Sequence, residues 1–151
     1  MPMAVLTAAP FNYVFDDLVR VKSTSTNFFG TASFSVMNSL GARIRRVPDK
    51  MNTPFLISRT KATMTIRWVA LNAPATGNSP ITSYNLYWDN GLGEISIELT
   101  DSLITEYSLT GLTGGVFYKY QVRAKNIYGY GERSLVAEIE ANDVPDVMSI
   151  I

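Results

Sequence analysis

The chain has 151 residues, of which 46% are hydrophobic and 17% charged, and its 13 basic residues cancel its 13 acidic ones. Without a net positive field it lacks the electrostatic footprint of a nucleic-acid binder. With no Cys and no His it has no disulfide, no thiolate metal site and no imidazole base.

The first ten residues, to Pro10, are mildly apolar but carry no basic start, so they do not read as a secretory leader. No apolar run approaches the ~18 residues that suggest a membrane span, so membrane insertion is not expected. No 3.6-residue apolar period persists for a dozen residues, and the sequence predicts no real helix. Val19 and Val21 alternate with Leu18, Arg20 and Lys22 ahead of Asn27, Phe28, Phe29 and Gly30. Two adjacent Phe at a turn need something to cover them, so Phe28 and Phe29 are candidate partner contacts. The segment from Ala42 to Val47 has the pattern of a last strand. Its Arg43, Arg45 and Arg46 form a basic stripe of the kind that protects an edge strand; Arg43 and Arg45 are kept as candidate contacts.

The residues from Val47 to Met51 read Val-Pro-Asp-Lys-Met, a phrase that returns as Val144-Pro145-Asp146-Val147-Met148. Pro48 and Pro54 cannot donate backbone hydrogen bonds and bias their predecessors towards extended geometry, so residues 48–53 are expected to be a non-helical connection. Beyond it, four alternating runs predict half-buried strands: Thr63–Trp68, Tyr84–Trp88, Ile95–Leu99 and Tyr118–Ala124. Turn signals separate them at Asn72-Ala73-Pro74, Gly77-Asn78-Ser79-Pro80, Asp89-Asn90-Gly91 and Gly114-Gly115. Many short strands with frequent turns predict an all-β antiparallel sandwich.

The Asn and Gly before each Val-Pro-Asp phrase also repeat. Asn27 and Gly30 match Asn126 and Gly129, an offset of 99 residues, and the phrase itself repeats at 97. A period of that size marks a repeat of whole domains. The expected organisation is a partial module over 1–47, a connection over 48–53, a complete module over 54–143 and the start of another connection over 144–151.

The complete module resembles a fibronectin type III domain. Pro54 and Trp68 stand where that family has an opening Pro and then a strand ending in a Trp. Pro80-Ile81-Thr82-Ser83-Tyr84 matches its Pro-Ile-x-x-Tyr phrase. Leu112 to Tyr118 matches its Leu-x-Pro-Gly-x-x-Tyr corner, with Gly114 in place of the Pro. Val122, Ala124, Asn126, Gly129, Gly131 and Ser134 fall on its closing pattern. The resemblance implies a fibronectin type III/immunoglobulin-like sandwich in tandem modules. It implies a core containing Trp68, Leu112, Tyr118 and Val122, with Tyr118 forming a tyrosine corner. In the first part Asn27, Gly30 and Ser33 keep the pattern, while Val19 replaces the corner Tyr.

Carboxylates at Asp16, Asp17, Asp101 and Glu106 have no partner pattern for catalysis, and no enzyme, cofactor or metal is expected. Asp89-Asn90-Gly91 reads as a turn rather than a calcium loop. Tyr128 and Tyr130 on a Gly-flexed loop are candidate contacts, as are the apolar Met148 and Ile150. The resemblance implies a structural or adhesive protein whose partners are other modules or other copies of the chain. Three forms stay open: a spacer in a tandem array, a filament subunit completed by its neighbours through strand complementation, and an accessory module of a larger, for example carbohydrate-active, enzyme. A small-molecule ligand is not expected. The compartment is open, with the resemblance leaning to the cell surface.

Overall fold

The computed structural model describes residues 2–143. The second Val-Pro-Asp phrase and the candidate contacts Met148 and Ile150 therefore lie outside the described residues. The chain resolves into two compact units, Met1–Arg46 and Val47–Ile151.

Unit 2 is a sandwich of a three-stranded and a five-stranded antiparallel sheet. Its strands are β3 (Phe55–Arg59), β4 (Thr63–Arg67), β5 (Ile81–Trp88), β6 (Ile97–Ser102), β7 (Glu106–Thr110), β8 (Phe117–Asn126), β9 (Gly129–Tyr130) and β10 (Ala137–Glu140). One sheet runs β3-β4-β7; the other runs β10-β8-β5-β6, with β9 beside β8. The period-2 alternation places Met64 and Ile66 of β4, Tyr84 and Leu86 of β5, Leu109 of β7, and Tyr118, Tyr120, Val122 and Ala124 of β8 in one core. Trp68 and Leu112, beyond the strand ends, close it. Tyr118 stacks on Trp88 at 5.7 Å between ring centroids, and the buried Tyr120 hydroxyl donates to Met64 Sδ at 3.4 Å.

Turns are fixed by carboxylate and hydroxyl groups. Asp89, itself buried, accepts three backbone N–H bonds: Gly91 at 2.9 Å and Lys119 at 2.9 Å on Oδ1, Gly93 at 3.2 Å on Oδ2. This joins the β5–β6 connection to the start of β8. Between β7 and β8, Thr113 N–H donates to the Tyr118 hydroxyl at 2.9 Å, which is the tyrosine-corner geometry.

Residues 48–53 form no helix and are packed onto unit 2. Pro48, Met51 and Pro54 are buried, Met51 joins the core, and Asp49 N–H donates to Ala75 C=O at 2.9 Å. Gly131 lies directly against this segment: a Cβ there would stand 2.5 Å from Pro48 O.

Unit 1 corrects the expectation of no helix. A five-residue helix, α1 (Met3–Thr7), follows Pro2. It escapes a periodicity search because one uncapped turn and a half carries no measurable period. The rest of the unit is a β-hairpin whose regular part is β1 (Thr26–Asn27) paired with β2 (Gly30–Thr31). The ladder continues below it through Ala32 N–H to Ser25 C=O (2.9 Å), Ser35 N–H to Ser23 C=O (2.8 Å) and Val19 N–H to Ala42 C=O (2.9 Å). An isolated bridge pairs Leu18 with Arg43. So the residues after Ala42 pair with 17–18 but do not form an extended strand. Asn38 fills the irregular part: its Oδ1 accepts Val21 N–H at 2.6 Å, and its Nδ2 donates to Val19 O and Leu40 O.

Candidate interaction surfaces

Among the described residues no group of three His, Cys, Asp or Glu is placed to hold a metal ion. Asp16 pairs with Arg43 at 3.3 Å, Asp17 accepts Val14 N–H at 2.8 Å, and Glu106 pairs with Arg67 across β4 and β7. The Asp101 carboxyl is held below the usual carboxylate range, first by hydrogen bonding from Ser83 and then from Asn85. These acids are engaged in local structure.

The tip of the β8–β9 hairpin is set by Asn126. Its Oδ1 accepts Tyr128 N–H at 2.8 Å, and its Nδ2 donates to Thr76 O at 3.0 Å, tying the tip to the loop before β5. Gly129 at φ 132° completes a turn that a side chain would strain. Tyr130 lies back against its own sheet: the Arg123 guanidinium sits 3.8 Å from its ring centroid and the Lys125 ammonium 4.7 Å. Tyr130 is 40% exposed and Tyr128 38%, so both keep an accessible edge.

The outer face of the five-stranded sheet carries a constellation that no local motif announces. Arg123 lies between the rings of Tyr130 and Tyr87, and Arg133 covers Tyr87 at 4.0 Å. The Tyr87 hydroxyl donates to Glu98 Oε2 and accepts from Arg123 Nη2, each at 2.6 Å. Asn85 Nδ2 donates to the other Glu98 oxygen at 2.9 Å. Burial, then the Glu98 hydrogen bond, pushes the Tyr87 phenol above its ordinary range. Alternating cations and rings join β5, β8, β9 and the segment before β10. Pairing of β5 with β8, Tyr87 opposite Gln121, brings together residues remote in sequence.

In unit 1 the hairpin tip presents Phe28 and Phe29 edge to face at 5.5 Å, and they are 96% and 93% exposed. From the tip down to the serine, the ladder beneath reproduces that of the β8–β9 hairpin at the 99-residue offset. Asn27 Oδ1 accepts Phe29 N–H at 2.9 Å, as Asn126 does for Tyr128. Ala32 bonds Ser25 as Gly131 bonds Ala124, and Ser35 bonds Ser23 as Ser134 bonds Val122. Ser23 N–H donates to Ser35 Oγ at 3.0 Å, and Val122 N–H to Ser134 Oγ at 3.1 Å. The serine that holds the pattern in unit 1 is thus Ser35 rather than Ser33, because only residue 35 faces Ser23 across the ladder. Arg43 is engaged with Asp16, Arg46 covers the Phe15 ring at 4.0 Å, and Arg45 is exposed.

With the sandwich, the tyrosine corner and the Asn-Gly hairpin in view, the comparison with known families is decisive: the fibronectin type III domain profile matches residues 52–140. The chain belongs to the fibronectin type III family. Fibronectin type III domain containing protein 3C1 of Mus musculus is 34% identical over 82 residues, 54% of this chain and 6% of that protein. Smooth muscle myosin light chain kinase of Gallus gallus is 28% identical over 129 residues, 80% of this chain and 7% of that protein. The chain thus spans less than a tenth of the length of these curated relatives. Among solved structures, the sixth fibronectin type III domain of a human fibronectin type III domain containing protein 3 covers 74% of this chain and 99% of its own, with TM-score 0.57 and 22% identity. Titin domains A168–A170 cover 78% of this chain and 38% of their own, with TM-score 0.57 and 19% identity. These likenesses establish the fold of an antiparallel β-sandwich.

Proposed function

We propose that this chain is a non-enzymatic structural and interaction protein: a stretch of a tandem fibronectin type III array in which unit 2 is a complete module and unit 1 the closing hairpin of the module before it. The observation that carries this reading is the identity of the two hairpin ladders at the 99-residue offset. The tip alone is a common turn; the serine that closes the ladder below it, Ser35 against Ser23 and Ser134 against Val122, is what the two hairpins share beyond the tip. The Gallus gallus match supports it as well. Unit 2 is about seven tenths of the chain, so a match over 80% runs into unit 1. In this role the modules space and present surfaces, and other modules are the first partners. The exposed Tyr128 and Tyr130 edges are the contacts unit 2 offers.

An accessory role beside a catalytic domain is the second reading. It is favoured by relatives whose names include a kinase and an ephrin type-B receptor. Both readings are tested by the polypeptide encoded by the whole reading frame around this chain. Electron microscopy of it should show a string of beads at one-module spacing. A single unrepeated module next to a catalytic domain would select the accessory role, and a chain with neither would end both.

A further inference from the structure

We infer that Arg43-Ile44-Arg45-Arg46, the last four residues of unit 1, are a latched cleavage site. The enzyme it fits is an endoprotease whose acidic subsites read arginine at the first, second and fourth positions before the scissile bond. The bond cut is Arg46–Val47. This goes beyond the array reading and does not depend on it.

The first observation is the arrangement of charge. Arg45-Arg46 is the one adjacent pair of basic residues in the sequence, and Arg43 stands two places before it. As a stripe guarding an edge strand these arginines have little to guard. Only Arg43 keeps a ladder bridge, to Leu18.

The second observation is the backbone. An endoprotease takes its substrate extended, bonding main-chain groups that a ladder would otherwise consume. Residues 44–46 belong to no helix or strand, and Arg45, Arg46 and Val47 are exposed. Arg59, Arg67, Lys119, Arg123 and Lys125 instead lie within β3, β4 and β8, whose pairing would have to open first.

The third observation is the place of the cut. Unit 1 ends at Arg46 and unit 2 begins at Val47. Pro48 is buried, and Asp49 is already bonded to Ala75. Cleavage therefore falls one residue before the packed connection and divides no strand. Water adds across the amide: the Arg46 carbonyl carbon takes its oxygen and becomes a carboxylate, and the Val47 nitrogen takes up its protons and becomes an ammonium.

In the folded chain the tetrapeptide is held down. Ile44 is 2% exposed; its N–H donates to Asp17 C=O at 3.0 Å, and its C=O accepts Asp16 N–H at 3.4 Å. Arg43 Nη1 donates to Asp16 O at 2.6 Å and pairs with Asp16 Oδ1 at 3.3 Å. Arg46 covers the Phe15 ring. Two of the three arginines the enzyme reads are thus engaged by residues 15 and 16. The Arg43 and Asp16 side chains are about half exposed, so this hold is weak. Release of residues 43–46 from 15–17 is the local opening that presents the site, and cleavage tracks the open population.

The test treats the full chain with a subtilisin-type endoprotease selective for paired basic residues, beside a synthetic peptide of residues 41–50. The expected result is one cut, giving a fragment whose N-terminal sequence reads Val47-Pro48-Asp49, with the unlatched peptide cut faster. Asp16→Ala and Arg43→Ala break the same ion pair, so they loosen the latch alike and differ in the arginine. Asp16→Ala should be cut about two- to fivefold faster than the parent. Arg43→Ala should be cut about ten- to a hundredfold more slowly than Asp16→Ala. Cutting at Arg20 or Lys22 in either variant reports an unfolded unit 1. Arg43→Lys, which keeps the ion pair and loses the planar fork, then takes their place and should be cut more slowly than the parent. A parent chain left intact while the peptide is cut would overturn the inference, as would cleavage at Lys22 or Lys50 at a comparable rate. If Arg43→Ala and Asp16→Ala are cut alike, the enzyme reads the pair alone and the four-residue site is wrong. If a folded Asp16→Ala is cut no faster than the parent, the latch is wrong.

Discussion

Ser35 and Ser134 do the same work at equivalent places in two hairpins. Each bonds back to the first strand through both its N–H and its Oγ, and each Oγ donates to the next carbonyl, Val36 O at 3.0 Å and Leu135 O at 2.8 Å. Ser134 is buried, whereas Ser35 is exposed to solvent. Replacing Ser134 by Ala should therefore cost about 1–2 kcal/mol in denaturant unfolding of unit 2, since Val122 N–H loses a buried acceptor. Ser35→Ala should leave that transition unchanged.

Trp68 is buried against both sheets, and truncation leaves a large cavity. Trp68→Ala should destabilise unit 2 by about 3–5 kcal/mol. Calorimetry decides it: a variant that melts within a degree or two of the parent would contradict the packing.

The corner and the β5–β6 turn are held by single side chains. Tyr118→Phe keeps the stacked ring but removes the acceptor of Thr113 N–H, at an expected cost of about 1–2 kcal/mol. Asp89→Ala strands three backbone donors and should cost more, about 2–4 kcal/mol. Because Asp89 is satisfied by backbone, adding calcium or chelator should leave the melting temperature of the parent where it is.

Stability should fall at both ends of the pH scale. Burial raises the Tyr120 phenol, and burial followed by the Glu98 bond raises that of Tyr87. The folded state then holds its phenolic protons more tightly than the unfolded chain. That stabilisation is complete below the ordinary tyrosine range near ~10 and is lost as pH rises beyond it. The Asp101 and Asp143 carboxyls are lowered, Asp101 first by the Ser83 bond and Asp143 first by the Lys61 N–H. Their contribution is present above the ordinary Asp value near ~3.9 and is lost as pH falls below it. Asp143→Asn should make the acid limb of a stability-against-pH curve shallower, with the Asp101 part remaining, and leave the alkaline limb alone.

Legibility followed depth of burial. β4, β5 and β8 were readable because each sits inside its sheet and alternates large apolar with polar side chains. Ile95–Leu99 was readable as a strand, but β6 runs Ile97–Ser102, since pairing with β5 rather than the apolar run sets its ends. β3, β7 and β10 gave no clear signal. They are the outer strands of their sheets and send few side chains fully into the core, Leu109 and Ala137 among them. Ser33 and Ser35 are both plausible closers by composition, and the choice rests on which faces Ser23. The stack of Arg133, Tyr87, Arg123 and Tyr130 could not be read from spacing, because strand pairing creates its neighbours.

Gly131→Ala is a small change with a large expected effect. The added methyl collides with a backbone carbonyl, which cannot swing aside as a side chain end could, and a loss of about 1–3 kcal/mol is expected in thermal unfolding.

The same contact decides how tension would enter unit 2. A pull applied through Val47 does not reach the edge strand β3 first. It meets Pro48 seated against Gly131 and Asp49 bonded to Ala75, a latch spanning the final hairpin and the loop before β5. Under such a load the run from Val47 to Pro54 is expected to yield first, giving up the Pro48 contact, the Asp49 bond and the Met51 packing before β3 parts from β4. On that expectation the module holds a few residues of slack ahead of its first strand.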